Sequence, residues 1–193
     1  MRRAAPFLLV LAVVAVVVVG LTQAGGKAKT QTGPRFDAKA ALASLEGAPA
    51  PLAALHDHAN QLLGGELPAF RARVRALRGH PIVVNKWGSW CGPCRAEFPI
   101  FQRAGARHGK AVGFLGIDGG DNPGDARAFL ADFPVTYPSY VDPSEKIARA
   151  YEASNNYPIT LFVDARGKVA MRHQGPYTSD EELDQDIKRY LGA

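Results

Sequence analysis

Both cysteines of this 193-residue chain, Cys91 and Cys94, stand three positions apart, just past one apolar run and at the start of a helical one. Residues 81–87 (PIVVNKW) read as a buried strand, and the stretch from Cys91 to about His108 reads as a helix. Strand, tight turn and helix in that order place Cys91 at a helix N-terminus. Unpaired N–H groups and the helix dipole there stabilise a thiolate near neutral pH, so Cys91 can serve as a nucleophile. Cys94 lies one turn inside, close enough to close a disulfide with it. Gly92 and Pro93 keep the turn tight, and Pro93 is tolerated because its missing N–H would be unpaired there anyway.

Two other readings of the pair stay open at this point. A static structural disulfide is one, although so short a loop constrains the unfolded chain little. Half of a metal site is the other, for example in a copper-binding chaperone, since soft thiolates suit copper(I). Such a site needs a third ligand. His56 and His58 are the one close histidine pair, on a predicted helix at a spacing that splits their side chains onto different faces; His80, His108 and His173 are scattered. Two cysteines alone exclude a four-cysteine zinc site and a multi-disulfide scaffold.

The rest of the chain places the pair in an α/β frame. Strands are expected at 81–87, 111–117, 139–141, 159–163 and 169–173, the last two joined by the turn 164–168. Helices are expected from Cys91, from Asn122-Pro123, from Asp142-Pro143-Ser144-Glu145 with Asp142 as cap, and from Ser179. The order β-α-β-α-β-α-β-β-α implies an α/β sandwich with a central mixed sheet. Ahead of it, residues 36–45 read as a short helix. Leu52, Leu55, Ala59, Leu62 and Leu63 recur at helical spacing up to Gly64-Gly65. A third helix carries Leu67, Phe70, Val74 and Leu77, with Arg71, Arg73, Arg75 and Arg78 on its other faces, read as solvated.

Charge bears on location rather than on ligand. The net charge is +5, but residues 1–29 hold Arg2, Arg3, Lys27 and Lys29 and no acid, so the remainder is nearly neutral. That argues against a nucleic-acid partner, which would need basic residues on the domain itself. Residues 4–21 are an uncharged run rich in Leu and Val, able to cross a bilayer, with Arg2 and Arg3 retained in the cytoplasm. The expected organisation is a transmembrane anchor or signal peptide at 1–24, a flexible linker at 25–35, a helical N-terminal extension at 36–79 packed on the domain, and the main domain at 80–193. The domain then lies on the extracytoplasmic side of a bacterial cell membrane, or is secreted if the leader is cleaved at Thr22-Gln23-Ala24.

The stretch Val83-Val84-Asn85-Lys86-Trp87-Gly88-Ser89-Trp90-Cys91-Gly92-Pro93-Cys94-Arg95-Ala96-Glu97-Phe98-Pro99 resembles the active-site region of thioredoxins, specifically the TlpA/ResA-like branch of membrane-anchored thiol–disulfide oxidoreductases. The resemblance covers residue 80 to the C-terminus and implies a thioredoxin-like three-layer α/β/α sandwich. It makes Cys91 the attacking and Cys94 the resolving member of a redox-active disulfide. Glu97 matches an acidic residue kept beside that site, and Pro99 the proline that kinks the active-site helix. Asn85 stands where cytoplasmic thioredoxins carry a buried acid, so proton transfer would fall to Glu97 or water. Tyr157-Pro158 matches the cis-proline landmark. Tyr157 and Pro158, with Trp90, Gly92 and Pro93, would then face a protein substrate. Trp87, at strand spacing, is expected in the core and Trp90 at the site.

The implied chemistry is dithiol–disulfide exchange with protein thiols and disulfides, and no cofactor or metal is called for. A membrane redox partner would recycle the pair. The Gly-Pro dipeptide and the branch lean to a reductase, of the cytochrome c maturation type or for general thiol redox. An extracytoplasmic oxidase or isomerase is the alternative.

Overall fold

In the computed structural model the described residues are 35–154 and 156–193. The anchor expected at 1–24 and the linker up to residue 34 lie outside them. Among the described residues no helix is long and apolar enough to cross a membrane. Residues 36–193 form one unit.

The elements run α1 (Ala38–Ser44), α2 (Ala50–His56), β1 (Leu62–Leu63), α3 (Glu66–Ala76), β2 (Ile82–Trp87), α4 (Gly92–His108) and β3 (Gly113–Gly119). They continue with α5 (Pro123–Asp132), β4 (Ser139–Asp142), α6 (Lys146–Ala150), β5 (Ile159–Val163), β6 (Val169–Gln174) and α7 (Asp180–Leu191). From β2 onward this is the order expected from the sequence. The strands form one sheet in the order β1-β4-β3-β2-β5-β6. β2 pairs parallel with β3 and antiparallel with β5, so the sheet is mixed. β2 has a strand on each side and helices on both faces, and all six of its residues are buried. That is why its apolar residues do not alternate with exposed polar ones.

Because side chains alternate along a strand, β2 feeds two cores. Val83 and Trp87 point into one, filled by Phe98 and Phe101 of α4, Phe129 of α5, and Leu183 and Ile187 of α7. Ile82 and Val84 point into the other, filled by Leu52 and Leu55 of α2, Phe70 and Val74 of α3, and Ile147 of α6. The result is a three-layer α/β/α arrangement. Each fully buried Leu or Phe stabilises it by roughly 1.5–3 kcal/mol relative to exposure.

Two sequence expectations need correction. The helix expected to run through Leu62 and Leu63 stops at His56, and those leucines form β1, parallel to Ser139 and Tyr140. The segment 36–79 is therefore not purely helical. Asn60 explains the change. It adopts a left-handed φ of 58°, its backbone N–H donates to the Tyr137 carbonyl at 3.0 Å, and its side chain bonds Leu130 O and Val135 N. These partners are some 70 residues away, beyond the reach of local periodicity. The second correction concerns Asp142. Helix α6 begins at Lys146, with Glu145 in the cap position at φ 54°. Asp142 satisfies that helix end from the tip of β4, its carboxylate accepting from Ile147 N at 3.0 Å and Ala148 N at 2.8 Å. Elsewhere the expected caps hold: Asn122 accepts from Gly124 N and Ser179 from Glu182 N.

Candidate active site

The C-terminal ends of β2 and β3 and the N-terminus of α4 converge on the cysteine pair. Cys91 and Cys94 are disulfide-bonded, with Cα atoms 5.3 Å apart. Cys91 is the N-cap residue of α4, and its sulfur accepts the Cys94 N–H at 3.2 Å. A sulfur held on an otherwise orphaned helix amide is placed where a thiolate is stabilised. Cys94 is fully buried, whereas Cys91 retains slight exposure and is flanked by exposed Gly92 and Pro93. An incoming disulfide therefore reaches Cys91 first. Pro99 sits inside α4 and removes one of its hydrogen bonds.

The turn before Cys91 is tied down by Asp121. Its carboxylate accepts from Ser89 N at 2.5 Å and Ser89 Oγ at 3.0 Å, linking the β2 and β3 ends. Asp118, at the same end of β3, is buried, and its carboxyl is pushed up to about 8, first by burial and then by the charge and hydrogen bond of Asp121.

Trp87 and Trp90 divide as expected. Trp87 is fully buried, donates its indole N–H to Ser139 Oγ at 3.1 Å, and meets Phe98 edge-on. Trp90 is 58% exposed. Its ring leans on Tyr157 at 4.7 Å between centroids. The Tyr157–Pro158 bond is cis. Tyr157 has further partners: its hydroxyl donates to Glu145, and the Lys86 ammonium lies 3.7 Å from its ring centroid. Among the described residues neither its N–H nor its carbonyl has a backbone partner, so both could pair with an extended chain.

Glu97 lies where the resemblance places it, beside the cysteine pair. It is fully buried one turn beyond Cys94. Its carboxylate accepts from Asn85 Nδ2 at 2.7 Å and from Tyr177 N at 3.1 Å. Burial pushes its carboxyl up to about 8, against the two hydrogen bonds that pull it down. It is thus poised to hold or release a proton near neutral pH.

Lys86, Glu145, Asp121 and Tyr177 escaped the sequence reading as site residues. Only Lys86 left a signal, a lysine inside a strand otherwise fit for burial. Among the described residues, no group of three or more His, Cys, Asp or Glu side chains is placed to hold a metal ion.

Comparison with known proteins agrees with this geometry. Residues 47–172 match the model of the AhpC/TSA family. The thiol:disulfide interchange protein HelX of Rhodobacter capsulatus is 32% identical over 165 residues, covering 85% of each chain. The thiol-disulfide oxidoreductase ResA of Geobacillus thermodenitrificans is 29% identical over 126 residues, 62% of this chain and 66% of that one. A crystal structure from Chlorobium tepidum, described as a thiol:disulfide interchange protein DsbE, superposes with a TM-score of 0.55 at 31% identity, over 62% of this chain and 85% of the other. The fold is thioredoxin-like.

Proposed function

The chain belongs to the AhpC/TSA family, and from that premise we propose that it reduces disulfides in exported proteins. Its chemistry is thiol–disulfide exchange. The Cys91 thiolate attacks one sulfur of a partner disulfide; that S–S bond breaks, a mixed disulfide forms, and the leaving thiolate takes up a proton. Cys94 gives up its proton and attacks the Cys91 sulfur. The partner leaves as a dithiol, and two electrons have passed from the Cys91–Cys94 pair.

The observation that carries this reading is the Cys91 sulfur on the Cys94 N–H in the first turn of α4, next to a buried Cys94. Glu97 is proposed as the group that handles the Cys94 proton, because it is buried one turn away with its carboxyl near 8. Trp90, Gly92, Pro93, Tyr157 and Pro158 are proposed as the surface that meets the partner. Residues 4–21 are proposed to tether the domain on the extracytoplasmic side, where a membrane redox partner would recycle the pair. Protein thiols of the cytochrome c maturation type are one substrate class that fits.

Insulin reduction with dithiothreitol tests the reading. Activity should vanish in Cys91→Ser and persist in His56→Ala. A protein that binds copper tightly but leaves insulin intact would overturn it. The reduction potential tests direction: about −270 mV supports a reductant, about −120 mV an oxidant.

A further inference from the structure

Lys86 has no part in the exchange chemistry, yet it is completely buried. It lies on β2 between Asn85 and Trp87, so its side chain leaves the sheet on the face opposite Trp87, whose core contains the cysteines. Burying an ammonium costs far more than burying a methionine or leucine of similar size, unless the charge holds something in place.

What it holds is the segment that leads into Pro158. The ammonium donates to the carbonyls of Ala153 at 2.9 Å and Asn156 at 3.4 Å. It pairs with Glu145 at 2.9 Å and lies on the face of the Tyr157 ring. The same Glu145 carboxylate accepts the Tyr157 hydroxyl. Burial works against its charge, but the hydrogen bonds from Lys86 and Tyr157 and the Lys86 charge hold its carboxyl below the usual range.

Two further features fit a built device. Glu145 adopts a left-handed φ of 54°, a conformation unfavourable for a residue with a Cβ, and this aims its carboxylate at both partners. Gly119, at the end of β3, leaves room for them. A Cβ there would stand 2.5 Å from the Tyr157 hydroxyl and 3.0 Å from Lys86 Cε. The Tyr157 ring in turn packs against the exposed Trp90 ring, adjacent in sequence to Cys91.

We propose that Lys86 is a positioning residue for substrate recognition: through Glu145 and Tyr157 it fixes the Trp90–Tyr157 rim that receives an extended partner segment with an apolar side chain beside its cysteine. The inference rests on the exchange reading above and adds to it a residue on the opposite side of the sheet.

The test uses the full-length protein with two probes, insulin as a protein disulfide and hydroxyethyl disulfide as one too small to span the rim. In Lys86→Met, KM for insulin should rise about tenfold with kcat within about twofold, because a loosened aromatic pair costs binding rather than chemistry. The rate with hydroxyethyl disulfide and the equilibrium with dithiothreitol should stay within about twofold, and the emission of Trp90 should change as its ring loses its support. Tyr157→Phe, which loses the Glu145 bond but keeps the ring over Lys86, should show a smaller rise in KM. A wild-type KM for insulin in Lys86→Met overturns the proposal, as does an equal fall with both probes. If Lys86→Met does not fold, an unchanged KM in both Tyr157→Phe and Glu145→Gln overturns it. Wild-type protein inert to both probes would instead sink the exchange reading, and the inference with it.

Discussion

The side-chain amide of Asn85 donates to the carboxylate of Glu97 at 2.7 Å, in a layer sealed from solvent directly behind the cysteine pair. The amide cannot titrate, so the acid of this layer is on the helix rather than on the strand. An amide offers either face: with Glu97 ionised it donates, and turned by 180° it accepts the proton of the neutral carboxyl.

The first prediction concerns pH. Burial pushes the Glu97 carboxyl up to about 8 in the folded protein, whereas a solvated glutamate in the unfolded chain has 4.5. Between those values the native state binds more protons than the unfolded chain. Its contribution to stability is therefore complete below about 4.5 and is lost as pH rises through about 8. The slope approaches roughly 1.4 kcal/mol per pH unit for one proton. Urea unfolding from pH 5 to 8 should show wild-type stability falling with pH and Glu97→Gln falling less steeply. Some slope should persist, because Asp118 is displaced in the same direction. Parallel curves for the two proteins would return Glu97 to an ordinary carboxyl.

The second prediction separates the two thiols. Cys94→Ser retains the attacking sulfur and lacks the one that resolves, so a mixed disulfide with a substrate peptide should accumulate and be visible by mass spectrometry. Cys91→Ser should form none, since Cys94 is fully buried. Adducts on Cys94 of Cys91→Ser at a comparable rate would reverse the assigned roles.

Where the chemistry is local, the sequence displays it. Cys91, Gly92, Pro93 and Cys94 share one turn, and their position between strand and helix follows from β2 and α4 alone. The division of Trp87 and Trp90 between core and surface was likewise legible, because strand alternation ends between them. What escaped depends on pairs distant in the chain. Leu62 and Leu63 carry helical spacing, yet become a strand because Ser139 and Tyr140 offer an edge. The Lys86–Glu145 pair spans two crossovers. The burial of Glu97 depends on the Tyr177 segment closing over it from the far end of the domain.

Asp121 carries the third prediction. It accepts from both the backbone and the side chain of Ser89 and from Asn122 N, so it ties the turn before Cys91 to the end of β3. A bond to an ionised carboxylate contributes at most roughly 1.5–3 kcal/mol, and Asp121 is half-exposed, so water takes over part of this bonding when Asp121→Ala removes the carboxylate. Above about pH 8 the same change also relieves a repulsion, because Asp118 is then ionised beside Asp121. The net loss should be about 1–3 kcal/mol in chemical denaturation at pH 7, and smaller at pH 9, where Asp118 is ionised in the wild type and repels Asp121. An equal loss at both pH values would uncouple the two carboxylates.

Two glycines give the fourth prediction, as a contrast. A Cβ on Gly116 would stand 2.8 Å from Ser139 Cβ and 2.9 Å from Trp87 Nε1, and both neighbours are completely buried. Neither can move without disturbing the sheet or the core, so Gly116→Ala should cost about 1–3 kcal/mol or more of stability. A Cβ on Gly88 would meet Trp90 at similar distances, 2.7 Å to Nε1 and 2.9 Å to Cε2. There the neighbour is a largely exposed ring that can swing into solvent. Gly88→Ala should therefore change thermal stability by less than about 1 kcal/mol. Its effect should appear at the rim, as a red-shifted Trp90 emission and a raised KM for insulin, because the ring gives up its edge contact with Tyr157. If the two variants lost stability equally, Trp90 would be held as firmly as the core, and the rim could not be tuned independently of the fold.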